Sequence, residues 1–296
     1  MTGGIFPFLS QNVFPAIIFT IMFGMGMALK LADFRAIFAS PRAVSLGLAC
    51  QILLLPVIGL ALATVLPVGP ETAVGLMILA TSPGGVTSNA ITLAVRADVA
   101  LAVALTALST LLVAFTLPLW TSFALEHFMG QSAAVNMPVG KTMLTLATLT
   151  MLPVLLGMLT RQFAPSIADR GVAIMRRLSV FLILFMALTT TVFNLHFLSS
   201  WQLLLESFAV CLALMLAAMG ASYALTRLFR IPGMQAITIV IEVGVHNLAI
   251  ALLVSVSVVE MPAIARLPLV YGVLMVTLPW LFVRWERARQ ARAAAV

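Results

Sequence analysis

The chain has 296 residues, of which 62% are hydrophobic and only 8% charged. A soluble domain carries about 25% charged residues, so a water-facing surface is excluded and lipid must be the solvent for most of the chain. The formal net charge of +7 does not point to nucleic acid, because the cations sort by side of the membrane, as traced below.

A crossing helix needs roughly 20 apolar residues. The mean hydropathy of +1.17 therefore implies a polytopic all-α membrane protein with no separate soluble domain. Met1–Gln11 holds no Lys or Arg, so a cleaved signal peptide is not expected. Apolar runs bounded by Pro, Gly and charge predict nine transmembrane helices. They lie at about 12–30, 43–66, 72–95, 98–122, 139–161, 175–197, 202–227, 233–257 and 262–284. Cys50 and Cys211 fall inside apolar runs and read as small packed hydrophobes. The methionines of Met22–Met27 read as lipid-facing or packing surface.

Alternate loops and ends collect Lys30, Arg35, Arg42, Arg96, the arginines of 161–177, Arg227, Arg230 and the arginines of 284–292, fourteen cations in all. The other side has Lys141 and Arg266. The positive-inside rule then places the N-terminus outside and the C-terminus in the cytoplasm. The tail Arg284–Arg292 reads as an anchor to anionic headgroups.

Segments three and eight are not ordinary spans. Segment three contains Ser82-Pro83-Gly84-Gly85-Val86-Thr87-Ser88-Asn89, where proline and two glycines interrupt the helical ladder. Segment eight contains Glu242-Val243-Gly244-Val245-His246-Asn247, with a carboxylate in an apolar run. Irregular backbone at bilayer depth is tolerated only where protein buries it or it lines a cavity. Broken helices offer half-helix N-termini to anions and free carbonyls to cations. Each break is the middle member of a trio, segments two to four and seven to nine, and the trios run in opposite directions. That is an inverted-repeat layout.

Glu242 is the sharpest residue, since a charge at the bilayer centre costs at least about 2.5–3.5 kcal/mol. No mid-membrane Lys or Arg offers itself as partner. A bound cation or a proton fits, and a hydrogen-bonded structural Glu is the bland alternative. Gln51 and Thr106 lie within spans, where such residues also join helices or bond back to their own backbone. His246 reads as a ligand, a proton carrier or a packed imidazole. Glu206, Asn194 and His196 lie near span ends and read as interfacial.

At these residues the chain resembles the bile acid:sodium symporter family, in its bacterial type. The landmarks are Met22-Phe23-Gly24-Met25-Gly26 with Lys30 and Asp33-Phe34, then Gln51. Next comes Ser82-Pro83-Gly84-Gly85 with Ser88-Asn89, running through Arg96 and Val99-Ala100-Leu101 to Thr106. Last is Glu242-Val243-Gly244 with Asn247. Bacterial members often have ten helices; this chain is expected to take the nine-helix form. The resemblance implies a location in the inner (plasma) membrane. It implies a core domain from about 43–122 and 202–284, and a panel domain from about 12–30 and 139–197. It also implies two sodium sites where the broken helices cross. One uses Ser88, Asn89, Thr106 and Glu242. The other uses Gln51, Glu242 and the carbonyls of Val243, Val245 and His246. Oxygen ligands suit a hard cation. Sodium would be a coupling ion, with no organic cofactor.

Some positions depart from the family pattern. Ala102 stands where a hydroxyl is usual, one turn before Thr106. His246 replaces a Gln, and Val86 stands where a small hydroxyl often occurs. Met275 and Val276 replace the polar pair of bile-acid-binding relatives. The implied cargo is therefore a small organic anion, held near Thr87, Ser88, Asn89 and Asn247 at the half-helix N-termini. Sodium-coupled symport is the first expectation, and proton-coupled or uncoupled transport on the same fold the second. A sensor or channel ranks below both, and no catalytic motif points to an enzyme.

Overall fold

The computed structural model describes residues 4–30, 38–130, 139–195 and 200–294, and among them every regular element is helical. In chain order these are α1 (Ile5–Ala28), α2 (Pro41–Val65), α3 (Pro70–Thr81), α4 (Val86–Ala94), α5 (Val99–Met129), α6 (Val139–Phe163), α7 (Pro165–Phe193), α8 (Trp201–Leu228), α9 (Gly233–Gly244), α10 (Leu248–Val258) and α11 (Pro262–Arg292). Seven of them are long and apolar enough to cross a membrane. The other four form two pairs, α3–α4 and α9–α10, each interrupted where the sequence places a break. Asp33, Phe34, Arg35 and His196 lie outside the described residues.

Several helices outrun the apolar stretches that predict them. The first begins at Ile5, the fourth predicted span continues to Met129, and α7 starts at Pro165 and ends at Phe193. Hydropathy detects the lipid-solvated part of a helix, whereas backbone hydrogen bonding carries it on into the interface. Large apolar side chains such as Leu53, Leu119, Phe181 and Leu188 are exposed on the outer faces, as expected where the solvent is lipid.

Three long helices contain a π turn just before a proline: Leu9–Val13 before Pro15, Cys50–Leu54 before Pro56, and Ala147–Met151 before Pro153. Proline supplies no N–H, and its ring crowds the carbonyl one turn back. The helix accommodates this by widening locally. Gln51 sits in the second of these turns.

The first helix packs against α6 and α7, while α3 packs against α2 and α5, and α8 against α9 and α11. Backbone closeness fixes the first contact. A Cβ added at Gly26 would strike the Val154 backbone, and one at Gly157 the backbone of Phe23, Gly26 and Met27. Small residues at helix contacts are the usual means of close packing in lipid. Met22, Met25 and Met27 are buried here, so the Met-rich stretch is packing surface. Gly26→Val is expected to destabilise the protein by at least the ~1–3 kcal/mol of ordinary overpacking, because the obstacle is main chain. A lower melting temperature of the detergent-solubilised protein would register this.

Arg266, which the sequence reading assigns to the side poor in cations, is only 4% exposed. It donates from Nε to Ser207 Oγ at 2.7 Å and from Nη2 to Thr72 Oγ1 at 3.0 Å. Thr72 in turn donates to Glu206 Oε1 at 2.7 Å. Glu206 therefore belongs to a network joining α3, α8 and α11. Asn194 is buried and donates to Thr190 O at 2.8 Å. At the basic end, Arg287 donates to the Val95 carbonyl and Arg289 pairs with Glu286 at 2.7 Å. The tail thus holds the fold through contacts within the chain.

Candidate functional site

The third helix ends because Pro83 brings no N–H, and Ser82 is already extended at φ −73°, ψ 142°. The ninth ends at Gly244, with Val245 extended at φ −123°, ψ 107°. Asn247 restarts the chain as α10, its Oδ1 accepting from Ile250 N at 3.2 Å. The two breaks cross as a short antiparallel bridge between Gly84 and His246. Asn247 N donates to the Pro83 carbonyl at 2.8 Å. Each break thereby satisfies backbone groups that lipid could not.

Beside this crossing lies a polar cluster drawn from four helices. Glu242 is fully buried, and its Oε2 accepts from Thr106 Oγ1 at 2.8 Å. Thr106 accepts from Asn89 Nδ2 at 3.3 Å. Gln51 Nε2 donates to the Glu242 backbone carbonyl at 3.1 Å. Ser88, Thr106 and Gln51 all face the carboxyl, and Ser88 Oγ also donates to Gly85 O at 2.7 Å. The cluster can approach the break this closely only because Gly84 has no side chain. A Cβ there would sit 2.5 Å from Glu242 Oε2 and 3.2 Å from Gln51 Nε2.

Three acceptor oxygens in the cluster are buried without a hydrogen-bond partner: Gln51 Oε1, Asn89 Oδ1 and Glu242 Oε1. Among the described residues no Lys, Arg or His forms an ion pair with Glu242. Leaving one buried polar atom unmatched costs about 1–3 kcal/mol, and more for a charged group. Two amide oxygens and one carboxyl oxygen left unmatched in the same cluster are ligands of the kind a hard cation takes. Ala102, one turn earlier on α5, is buried and contributes a methyl instead of an oxygen.

Elsewhere at the crossing, the Val243 and Gly244 carbonyls already have donors. His246 Nε2 lies 3.0 Å from the Val243 carbonyl, and Tyr271 OH donates to the Gly244 carbonyl at 2.9 Å. The two rings stack with centroids 5.0 Å apart and planes at 16°. A carbonyl only accepts, so Nε2 donates in this contact, while Nδ1 is buried without a hydrogen-bond partner. Val245 is buried at the crossing. Tyr271 was not legible as a site residue, although a phenol inside an apolar span is a detectable signal. Thr92, one turn beyond Ser88 with a buried unpartnered hydroxyl, carries a similar signal in its spacing.

A cavity of about 270 Å³ separates α1 and α7 from α4 and α5. Its wall is mostly aliphatic, and includes Met25, Val103 and Met175, with Asn89, Ser179 and Arg176 as its polar members. Asn89 thus belongs both to the cluster and to the cavity. Thr87 is half-buried on α4, and Asn247 is held at the crossing as a helix cap; neither lines this cavity.

Residues 15–201 match the sequence profile described as the Sodium Bile acid symporter family. A rice protein named probable sodium/metabolite cotransporter BASS1, chloroplastic, is 37% identical over 48% of this chain and 34% of its own length. A Bacillus subtilis protein named uncharacterized sodium-dependent transporter YocS is 30% identical over 48% of this chain and 43% of its own. The human P3 protein is 28% identical over 80% of this chain and 49% of its own length. The matches thus span about a third to a half of these curated relatives. The family and the relatives named for an activity are transporters, not enzymes. The profile covers well over half of the chain and takes in the first break with Gln51, Asn89 and Thr106, and on that ground this chain is a member of the sodium bile acid symporter family.

Proposed function

We propose that this chain is a sodium-coupled symporter that carries a small organic anion across the inner (plasma) membrane by alternating access. The observation that carries the reading is the trio of buried, unpartnered oxygens on Gln51, Asn89 and Glu242 where two interrupted helices cross. Sodium is the coupling ion, and Ser88, Asn89, Thr106 and Glu242, with Gln51, form its site. The names of the rice and Bacillus relatives support sodium dependence.

Each interrupted pair makes one crossing, giving nine spans with the N-terminus outside. The core consists of α2–α5 and α8–α11, and the panel of α1, α6 and α7. Two observations support an inverted repeat. The breaks pair antiparallel. A left-handed residue also follows each broken span, Arg96 at φ 54° and Glu260 at φ 57°.

The substrate occupies the cavity between panel and core. Its polar end meets Asn89 near the α4 N-terminus and Arg176 on the panel, and its body meets the aliphatic wall. Thr87 and Ser88 lie in the first turn of α4, whose N-terminus favours a negative charge beside Asn89; Asn247 caps α10 at the crossing, away from the cavity wall. At about 270 Å³, the cavity falls below the ~300–1,000 Å³ of sites for drug-sized ligands, which favours a short carboxylic acid over a steroid. Arg176→Gln is expected to raise the KM for such an acid at least tenfold, worth about 1.4 kcal/mol, with a smaller effect on kcat.

Proton coupling is the second reading, favoured by the buried, unpartnered Nδ1 of His246. Uptake of a panel of radiolabelled short-chain carboxylates into proteoliposomes separates the two. An inward sodium gradient is expected to accelerate uptake at least tenfold. Uptake driven by an inward proton gradient and indifferent to sodium overturns the sodium reading. Asn89→Ala, which removes one orphaned oxygen and the link to Thr106, is expected to abolish uptake in a protein that still reaches the membrane.

A further inference from the structure

The C-terminal end of a half-helix inside a membrane presents free carbonyls, and these attract a cation. Helix α9 ends in this way, at the crossing and fully buried. Its last three carbonyls are nevertheless already engaged by donors from within the chain. Gln51 Nε2 takes that of Glu242 at 3.1 Å, His246 Nε2 that of Val243 at 3.0 Å, and Tyr271 OH that of Gly244 at 2.9 Å.

We propose that His246 and Tyr271 stand in place of a second cation at the end of α9, so that this carrier binds one sodium ion per chain. The inference rests on the sodium-coupled reading and concerns the number of ions rather than their existence.

Three physical points carry it. First, an N–H or O–H pointing at a carbonyl supplies the positive end that a cation would supply, without the cost of dehydrating an ion. Second, the imidazole cannot simply turn aside. It stacks on Tyr271 at 5.0 Å, it is 1% exposed, and its own backbone is bridged to Gly84 while that of Asn247 bonds Pro83. Third, the nitrogen left over on the ring is a softer donor than the oxygens a hard cation selects. The orphaned oxygens are side-chain atoms, on Gln51, Asn89 and Glu242, and none is a carbonyl of the α9 end. One ion suits that set, and the Val243 and Gly244 carbonyls at the end of α9 already have their donors.

The count has a consequence for energetics. One sodium ion with one monovalent anion moves no net charge, so the membrane potential does not drive accumulation of such a substrate. Two ions would add about 2.3 kcal/mol of driving force per 100 mV.

Equilibrium binding of radioactive sodium to the purified full chain in detergent tests the proposal without any substrate. The expected result is saturation at one sodium ion per chain. Saturation at two overturns the proposal and leaves sodium coupling intact, whereas no saturable binding overturns the coupling reading itself. The double variant H246Q/Y271F frees the Val243 and Gly244 carbonyls and adds an amide oxygen. It is expected to raise the count to two. If it stays at one, with a melting temperature in sodium-free buffer matching that of the unaltered protein, the role given to His246 and Tyr271 is wrong.

Discussion

Glu242→Gln is expected to abolish sodium-driven uptake while leaving the amount of folded protein in the membrane unchanged or higher. Glutamine keeps the shape of the carboxyl, and its oxygen can still accept from Thr106, which now lies 2.8 Å from Oε2. What is lost is the negative charge, together with one orphaned acceptor, Oε1. No Lys or Arg side chain among the described residues forms an ion pair that would take over that charge's role at the crossing. Without its carboxylate the site has only neutral dipoles to offer, and the affinity for sodium is expected to fall at least 100-fold, about 2.7 kcal/mol. Folding responds in the opposite direction. An ionised carboxylate at bilayer depth costs about 2.5–3.5 kcal/mol on insertion scales, and Gln removes that cost. Uptake at the unaltered rate in this variant, with a sodium gradient as the only driving force, would refute the site.

Gly84→Ala is expected to have an effect of similar size through space rather than charge. The added methyl would lie 2.5 Å from Glu242 Oε2, 3.2 Å from Gln51 Nε2 and 3.5 Å from Thr106 Oγ1. The carboxyl is fixed by Thr106 and the Gln51 amide by the Glu242 backbone, so neither side chain yields cheaply. Either the carboxyl turns away from its partners or the two breaks separate. The first outcome removes the ion site. The second also breaks the Asn247–Pro83 hydrogen bond at 2.8 Å. Overpacking alone costs about 1–3 kcal/mol. The expected observation is loss of sodium-dependent uptake with a lowered melting temperature. Gly85→Ala is expected to be milder, because its Cβ would meet Asn247 at 3.3 Å or more.

Both breaks were legible in the sequence. Proline, glycine and a carboxylate inside apolar runs are chemically conspicuous, and Pro83-Gly84-Gly85 and Glu242-Val243-Gly244 stand at the crossing. Gln51 and Thr106 were harder. A single amide or hydroxyl within a span more often joins helices or bonds to its own backbone, and only the family resemblance pointed these two at Glu242. The π turn that carries Gln51 has a local cause in Pro56. A proline five residues on signals it, but its effect on where the amide points depends on packing. Tyr271 and Arg266 were not legible in their roles, because each depends on contacts between distant segments. Arg266 reads as a loop cation until Thr72 and Ser207 close around it. Arg176 entered the sequence argument only as topology, and its place on the cavity wall comes from the packing of α7 on α1.

The central claim is that the crossing of the two breaks is a sodium site built on Glu242. The most direct measurement is the melting temperature of the purified protein in sodium chloride and in potassium chloride at equal ionic strength. A ligand present at 100 times its Kd stabilises the folded state by about 2.7 kcal/mol. The unaltered protein is therefore expected to melt several degrees higher in sodium than in potassium, and Glu242→Gln to melt at the same temperature in both. Equal melting of the unaltered protein in the two salts, or a sodium-specific rise that persists in Glu242→Gln, would contradict the account.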